Sequence, residues 1–87
     1  MCRNITTLRG LEPPATSEEI EAAARQYVRK VSGVTRPTPA TEAAFEQAVA
    51  TVARATAEVL QGLPPRRQPP KADPPLRRPE VRARMHR

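Results

Sequence analysis

Eighty-seven residues allow at most one small domain, and this chain has one cysteine, no tryptophan and only 2% aromatic residues. A single thiol excludes an intrachain disulfide and a cysteine-rich zinc site, and so few rings argue against a base-stacking surface or a deep ligand pocket. The net charge of +6 is segregated: residues 64–87 hold eight cations against Asp73 and Glu80, whereas residues 1–63 balance seven cations with seven glutamates.

Residues 1–15 form an entry arm. Ile5, Leu8 and Leu11 recur every third position, while Gly10 and Pro13-Pro14 stop a longer helix. These three side chains are expected to cap an open end of the core. The start, Met1-Cys2-Arg3-Asn4-Ile5-Thr6, lacks a secretory apolar stretch, so the Asn4-Ile5-Thr6 glycosylation triplet has no expected role and the expected location is the cytoplasm. No apolar run approaches the roughly 18–20 residues that cross a bilayer.

A helical hairpin is predicted over residues 16–63. Thr16-Ser17-Glu18-Glu19 is a capping box, and Ile20, Ala23, Ala24, Tyr27, Val28 and Val31 follow on one 3.6-residue stripe. Glutamates open this helix, Arg29 and Lys30 close it, and Gly33 supplies a left-handed stop, giving a helix over about 17–32. Thr38-Pro39 starts the second helix, over about 39–61, with Thr41 as a competing cap. Its stripe is Phe45, Ala48, Val49, Val52, Thr56, Val59, Leu60 and Leu63, ended by Gly62 and Pro64. Packed antiparallel, the two helices would bring Glu42 and Glu46 near Arg29 and Lys30. Ala43, Ala50 and Ala57 stand seven residues apart opposite the stripe. They would let a second copy approach closely, or they reflect only the helix propensity of alanine. Two helices alone bury little, which favours a homodimeric four-helix bundle or docking of the arm as a third layer.

From Pro64 the composition changes. Pro64-Pro65, Pro69-Pro70 and Pro74-Pro75 recur every five residues among basic ones, a segment that cannot bury a core and is expected to be a disordered, proline-rich tail over 64–87. Its cations, Arg66, Arg67, Lys71, Arg77, Arg78, Arg82, Arg84 and Arg87, suffice for non-specific contact with nucleic acid or an acidic protein. Sequence-specific reading by the second helix is not expected, because Gln47, Arg54 and Gln61 are offset there by Glu42, Glu46 and Glu58.

Candidate chemistry is sparse. The one histidine, His86, is next to last, and Gly10, Gly33 and Gly62 are isolated rather than a phosphate loop. Cys2 is the one weak candidate for a nucleophile, redox thiol or metal ligand. Removal of Met1 would leave its amine beside its thiol, and Arg3 favours the thiolate. An inert terminal thiol is the favoured reading, because no second ligand or base is identifiable.

Several blocks together, Met1-Cys2-Arg3-Asn4-Ile5, Pro13-Pro14-Ala15-Thr16 with Glu18-Glu19-Ile20, Tyr27-Val28-Arg29-Lys30-Val31-Ser32-Gly33, and Pro37 to Phe45 with Ala48-Val49, resemble a bacterial family of short proteins that opens with Met-Cys-Arg-Asn-Ile. That family is a domain of unknown function. The resemblance spans residues 1–63; it implies a small helical domain and a bacterial source, and brings no activity, cofactor or catalytic residue. The tail departs from the family's usual ending, so a role for it is expected to be particular to this chain.

The expected protein is all-α: an antiparallel helical hairpin with an N-terminal arm and a disordered Pro/Arg-rich tail. The expected function is that of a non-enzymatic interaction module. It self-associates through Ala43, Ala50 and Ala57, contacts an anionic partner through the tail and needs no cofactor. The alternative is a thiol-dependent or metal-binding protein using Cys2.

Overall fold

A computed structural model describes residues 4–64 and 74–77. Two helices, α1 (Ser17–Ser32) and α2 (Glu42–Gly62), are followed by a single 3₁₀ turn, Pro75–Arg77, and there is no strand among the described residues. The two helices pack against each other as an all-α hairpin. Val28 clusters with Phe45, and Ile20 with Leu60, so the helices run antiparallel.

The bounds of α1 are those its signals predict. Thr16 is extended at φ −84° and ψ 161°; its hydroxyl accepts the Glu19 N–H at 3.1 Å, and the Glu19 carboxylate accepts the Thr16 N–H at 2.9 Å. At the other end Gly33 takes φ 73° and donates to the Arg29 carbonyl at 2.9 Å. A Cβ built on Gly33 meets nothing within 4 Å, so only the positive φ opposes a side chain. Gly33→Ala is therefore expected to cost about 1 kcal/mol, read as a lower urea midpoint at unchanged slope.

Regular helix in α2 begins at Glu42, three positions after the expected start. Both threonines take part, which explains the offset. The Thr38 carbonyl accepts from Thr41 N and Glu42 N at 2.9 and 2.8 Å, and the Thr41 hydroxyl accepts the Thr38 N–H at 2.8 Å. The chain is thus already turning at Thr38 but tightens before it settles into the α period. At its far end Leu63 is extended at φ −85° and ψ 147°, as a residue before proline prefers. Thr56, on the apolar stripe, returns its hydroxyl to the Val52 carbonyl at 2.7 Å and leaves no orphan donor.

The core has two parts. Near the connector, Ala24, Val28, Phe45 and Val49 are buried, flanked by Val34, Ala48, Val52 and Ala53. At the open end of the hairpin, Leu8 and Leu11 of the arm close over Ile20, with Ala57 and Leu60 packed alongside. The arm supplies the third layer through two of its three apolar residues, while Ile5 stays 43% exposed.

One expected charge pairing is different. Glu46 is taken by Arg25, whose NH1 and NH2 reach its two carboxylate oxygens at 2.7 and 2.8 Å, rather than by Arg29 or Lys30. Arg25 also meets Glu21 one turn back at 3.1 Å and places its guanidinium 5.7 Å from the Phe45 ring centroid. The physical reason is register: with the helices antiparallel, Glu46 lies opposite Arg25, whereas Arg29, one turn further along the same side, reaches Glu46 only through its charge.

Candidate functional site

The most closely knit polar group forms where the arm, the first turn of α1 and residues 74–77 meet. Arg77 donates from Nε to Glu19 Oε2 at 2.7 Å and from NH2 to Glu19 Oε1 at 3.1 Å. The same NH2 reaches the carbonyls of Pro13 and Pro14 at 2.6 and 3.2 Å. The Glu19 side chain is 3% exposed and that of Arg77 15%. Pro74 and Pro75 beside them are buried. Hydrogen bonding from Arg77 is the chief reason the Glu19 carboxyl is held below its ordinary value of 4.5; burial pushes the other way, and Thr16 adds to the lowering. One carboxylate therefore caps α1 and anchors a residue 58 positions later.

Beside this contact lies a groove of about 490 Å³ between arm and hairpin. Leu8, Leu11, Ile20, Leu60 and Leu63 contribute apolar wall, with Arg9 and Gln61 among its polar lining. Arg9 donates through Nε and NH2 to the Pro64 carbonyl at 3.0 and 2.7 Å, tying the arm to the end of α2. The groove supplies apolar contact and holds no pair of groups arranged for acid–base or nucleophilic chemistry.

The sequence-predicted residues are scattered. Of the tail cations only Arg77 falls among the described residues, and it is turned inward to Glu19. Arg66, Arg67, Lys71, Arg78, Arg82, Arg84 and Arg87 lie outside them, as does Cys2. Most of the tail expected to be disordered is likewise outside; within it, residues 74–77 are packed on the hairpin. Ala43 and Ala50 are exposed, whereas Ala57 is half-buried under the arm beside Leu8 and Leu11. The three alanines therefore do not make one continuous open stripe. Among the described residues no group of three His, Cys, Asp or Glu side chains is placed to hold a metal, and no helix is long and apolar enough to cross a membrane. Nothing there supports the Cys2 alternative.

Sequence reasoning missed the Arg77–Glu19 contact, since Arg77 is one of eight tail cations. A faint signal exists. Leu76 is the one large aliphatic residue between Pro64 and Glu80, so Pro74-Pro75-Leu76-Arg77 is the stretch of that part of the tail best able to bury apolar surface.

No curated protein and no solved structure matches the chain. A family model does, over residues 1–84, under the description "uncharacterized conserved protein (DUF2277)". The match runs well into the tail, which corrects the expectation that the tail departs from the family's ending. By a match over nearly its whole length, the chain belongs to this family of uncharacterized conserved proteins.

Proposed function

We propose that the protein is a non-enzymatic helical interaction module of the cytoplasm that self-associates through its hairpin and uses its basic tail to hold an anionic partner, a nucleic acid or an acidic protein. The observation that carries this reading is the separation of charge. The described residues balance Arg9, Arg25, Arg29, Lys30, Arg36, Arg54 and Arg77 against seven glutamates, so the net +6 lies outside them, with Arg3 and with tail cations that outnumber Asp73 and Glu80 by five. With Arg77 committed to Glu19, the remaining cations of the tail are Arg66, Arg67, Lys71, Arg78, Arg82, Arg84 and Arg87. A chain with one cysteine, and so no internal disulfide, suits a reducing compartment.

The test keeps the chain whole, because removing everything after Leu63 would also remove the Arg77 contact. A full-length variant with Arg66, Arg67, Lys71, Arg82 and Arg84 changed to glutamine is compared with the wild type for binding mixed-sequence DNA or a polyglutamate peptide across a salt series. The wild type is expected to weaken steeply with salt, log affinity against log salt falling by about 0.9 per phosphate neutralised on duplex DNA, and the variant is expected to lose most of the binding and of the slope. Equal binding by the two, or affinity indifferent to salt, would overturn the proposal.

A further inference from the structure

Among the described residues nothing covers one long flank of the hairpin, and we propose that this flank, rather than the alanine stripe of α2, is where a second copy of the chain docks. The inference rests on the self-association part of the function proposed above and gives it a surface. The Arg25–Glu46 pair fixes which side is which. Arg25 lies on one side of the buried Ala24–Val28 row of α1, and Glu46 lies on one side of the buried Phe45–Val49 row of α2; the two meet across the helices on a common flank. At about 100° per residue, Tyr27 falls on the other side of the α1 row, and Ala48, Val52, Ala55 and Val59 fall on the other side of the α2 row. They must share the opposite flank. Ala57, by contrast, falls on the side of Glu46, where Leu8 and Leu11 already pack.

This flank is apolar: Ala48 and Val52 are half-buried against the core at its floor, and Tyr27, Val31, Ala55 and Val59 are exposed around them. Tyr27 is 48% exposed, Val59 51%, and Val31 at its upper end 65%, which makes three of the five exposed large hydrophobic residues. Tyr27, Val31, Ala48, Val52, Ala55 and Val59 form it without a charge among them. Size then selects the occupant. α1 is 16 residues long, hence about 24 Å, and two helices side by side are roughly 20 Å wide. Each copy thus offers on the order of 500 Å² in projection, and a matched pair buries roughly 1,000 Å² or more, the threshold for a specific contact. Charge at the contact permits it as well: the described residues carry seven cations and seven glutamates, so the described parts of two copies meet without net repulsion. The monomer leaves its own core incompletely closed, since no described side chain falls below 2% exposure, and a second hairpin laid on this flank completes a four-helix layer.

The experiment uses the full chain, with oligomeric state read by sedimentation equilibrium and native mass spectrometry. The wild type is expected to dimerise. Tyr27→Lys and Val59→Lys are each expected to raise the dissociation constant about tenfold or more, with helical circular dichroism retained at concentrations where the wild type is also monomeric. Ala50→Lys is expected to leave it unchanged. Should a lysine variant lose helicity, Tyr27→Gln and Val59→Gln repeat the measurement with milder changes and the same expected direction. A dimer that survives substitution of this flank but is broken by Ala50→Lys overturns the surface and leaves self-association standing. A wild-type chain that stays monomeric at every concentration overturns both.

Discussion

Replacing Phe45 with alanine is expected to lower stability by about 3–4 kcal/mol, the typical cost of truncating a buried ring. Phe45 is 4% exposed and is the aromatic residue of the inner cluster, with Ala24, Val28 and Val49 as its buried neighbours. All three are short side chains rooted in helix backbone, so they cannot move in to fill the space. The loss also removes the surface over which Arg25 is held, although a cation–ring contact at a partly exposed site contributes only about 0.5–1 kcal/mol. An 87-residue chain has a total stability of roughly 4–13 kcal/mol, so one substitution takes a large share of it. Phe45→Leu, which keeps most of the volume, is expected to cost no more than about 1.5 kcal/mol. Urea unfolding followed by circular dichroism separates the two. A loss below about 1 kcal/mol for the alanine variant would mean that the hairpin is held elsewhere.

The second large effect is expected at Glu19. Glu19→Ala removes the return half of the capping box and the counter-charge of a nearly buried arginine together, for a loss of about 2–4 kcal/mol. Glu19→Gln separates these contributions. Its amide oxygen still accepts the Thr16 N–H, so the cap survives, while Arg77 is left without a full negative charge. About half of the loss is expected to remain. Arg77→Met leaves the cap intact and keeps an apolar stem against the arm. Combining it with Glu19→Gln should cost clearly less than the sum of the two single changes, because each already breaks the same pair. Strict additivity would show that the contact is not formed in solution.

Acid unfolding gives an independent reading of the same contact. Arg77 holds the Glu19 carboxyl below 4.5, so the folded chain binds its proton later than the unfolded chain as the pH falls. The stabilisation is therefore complete above 4.5 and is lost progressively below it. Glu46, lowered by its hydrogen bonds from Arg25, contributes in the same direction from a more exposed position. Glu19→Gln is expected to be less stable at neutral pH and to lose less of its stability between pH 4.5 and 2. Parallel curves for variant and wild type would show that Glu19 does not titrate against Arg77.

Both helices were legible in the sequence because their signals are local. Thr16 and Glu19 cap each other over three residues, Gly33 needs only its own φ, and the apolar stripes follow from the helical period. The start of α2 was less legible, since two threonines compete for one boundary and the outcome uses both. Exposure of Tyr27, Val31 and Val59 was not legible at all. A stripe names the residues that share a face, but how wide a strip the neighbouring helix covers depends on where the two axes cross.

The sequence by itself determined an all-α hairpin, its first helix to the residue, the neutrality of its folded part and the confinement of net charge to the tail. Tertiary structure alone decided the rest. It gave Glu46 to Arg25, seated Leu8 and Leu11 over Ala57, turned Arg77 inward to Glu19, and left one apolar flank open. The reason is separation along the chain. Capping and periodicity act over three to seven residues, whereas Arg77 and Glu19 lie 58 apart, and only the folded path of the backbone brings them within hydrogen-bonding distance.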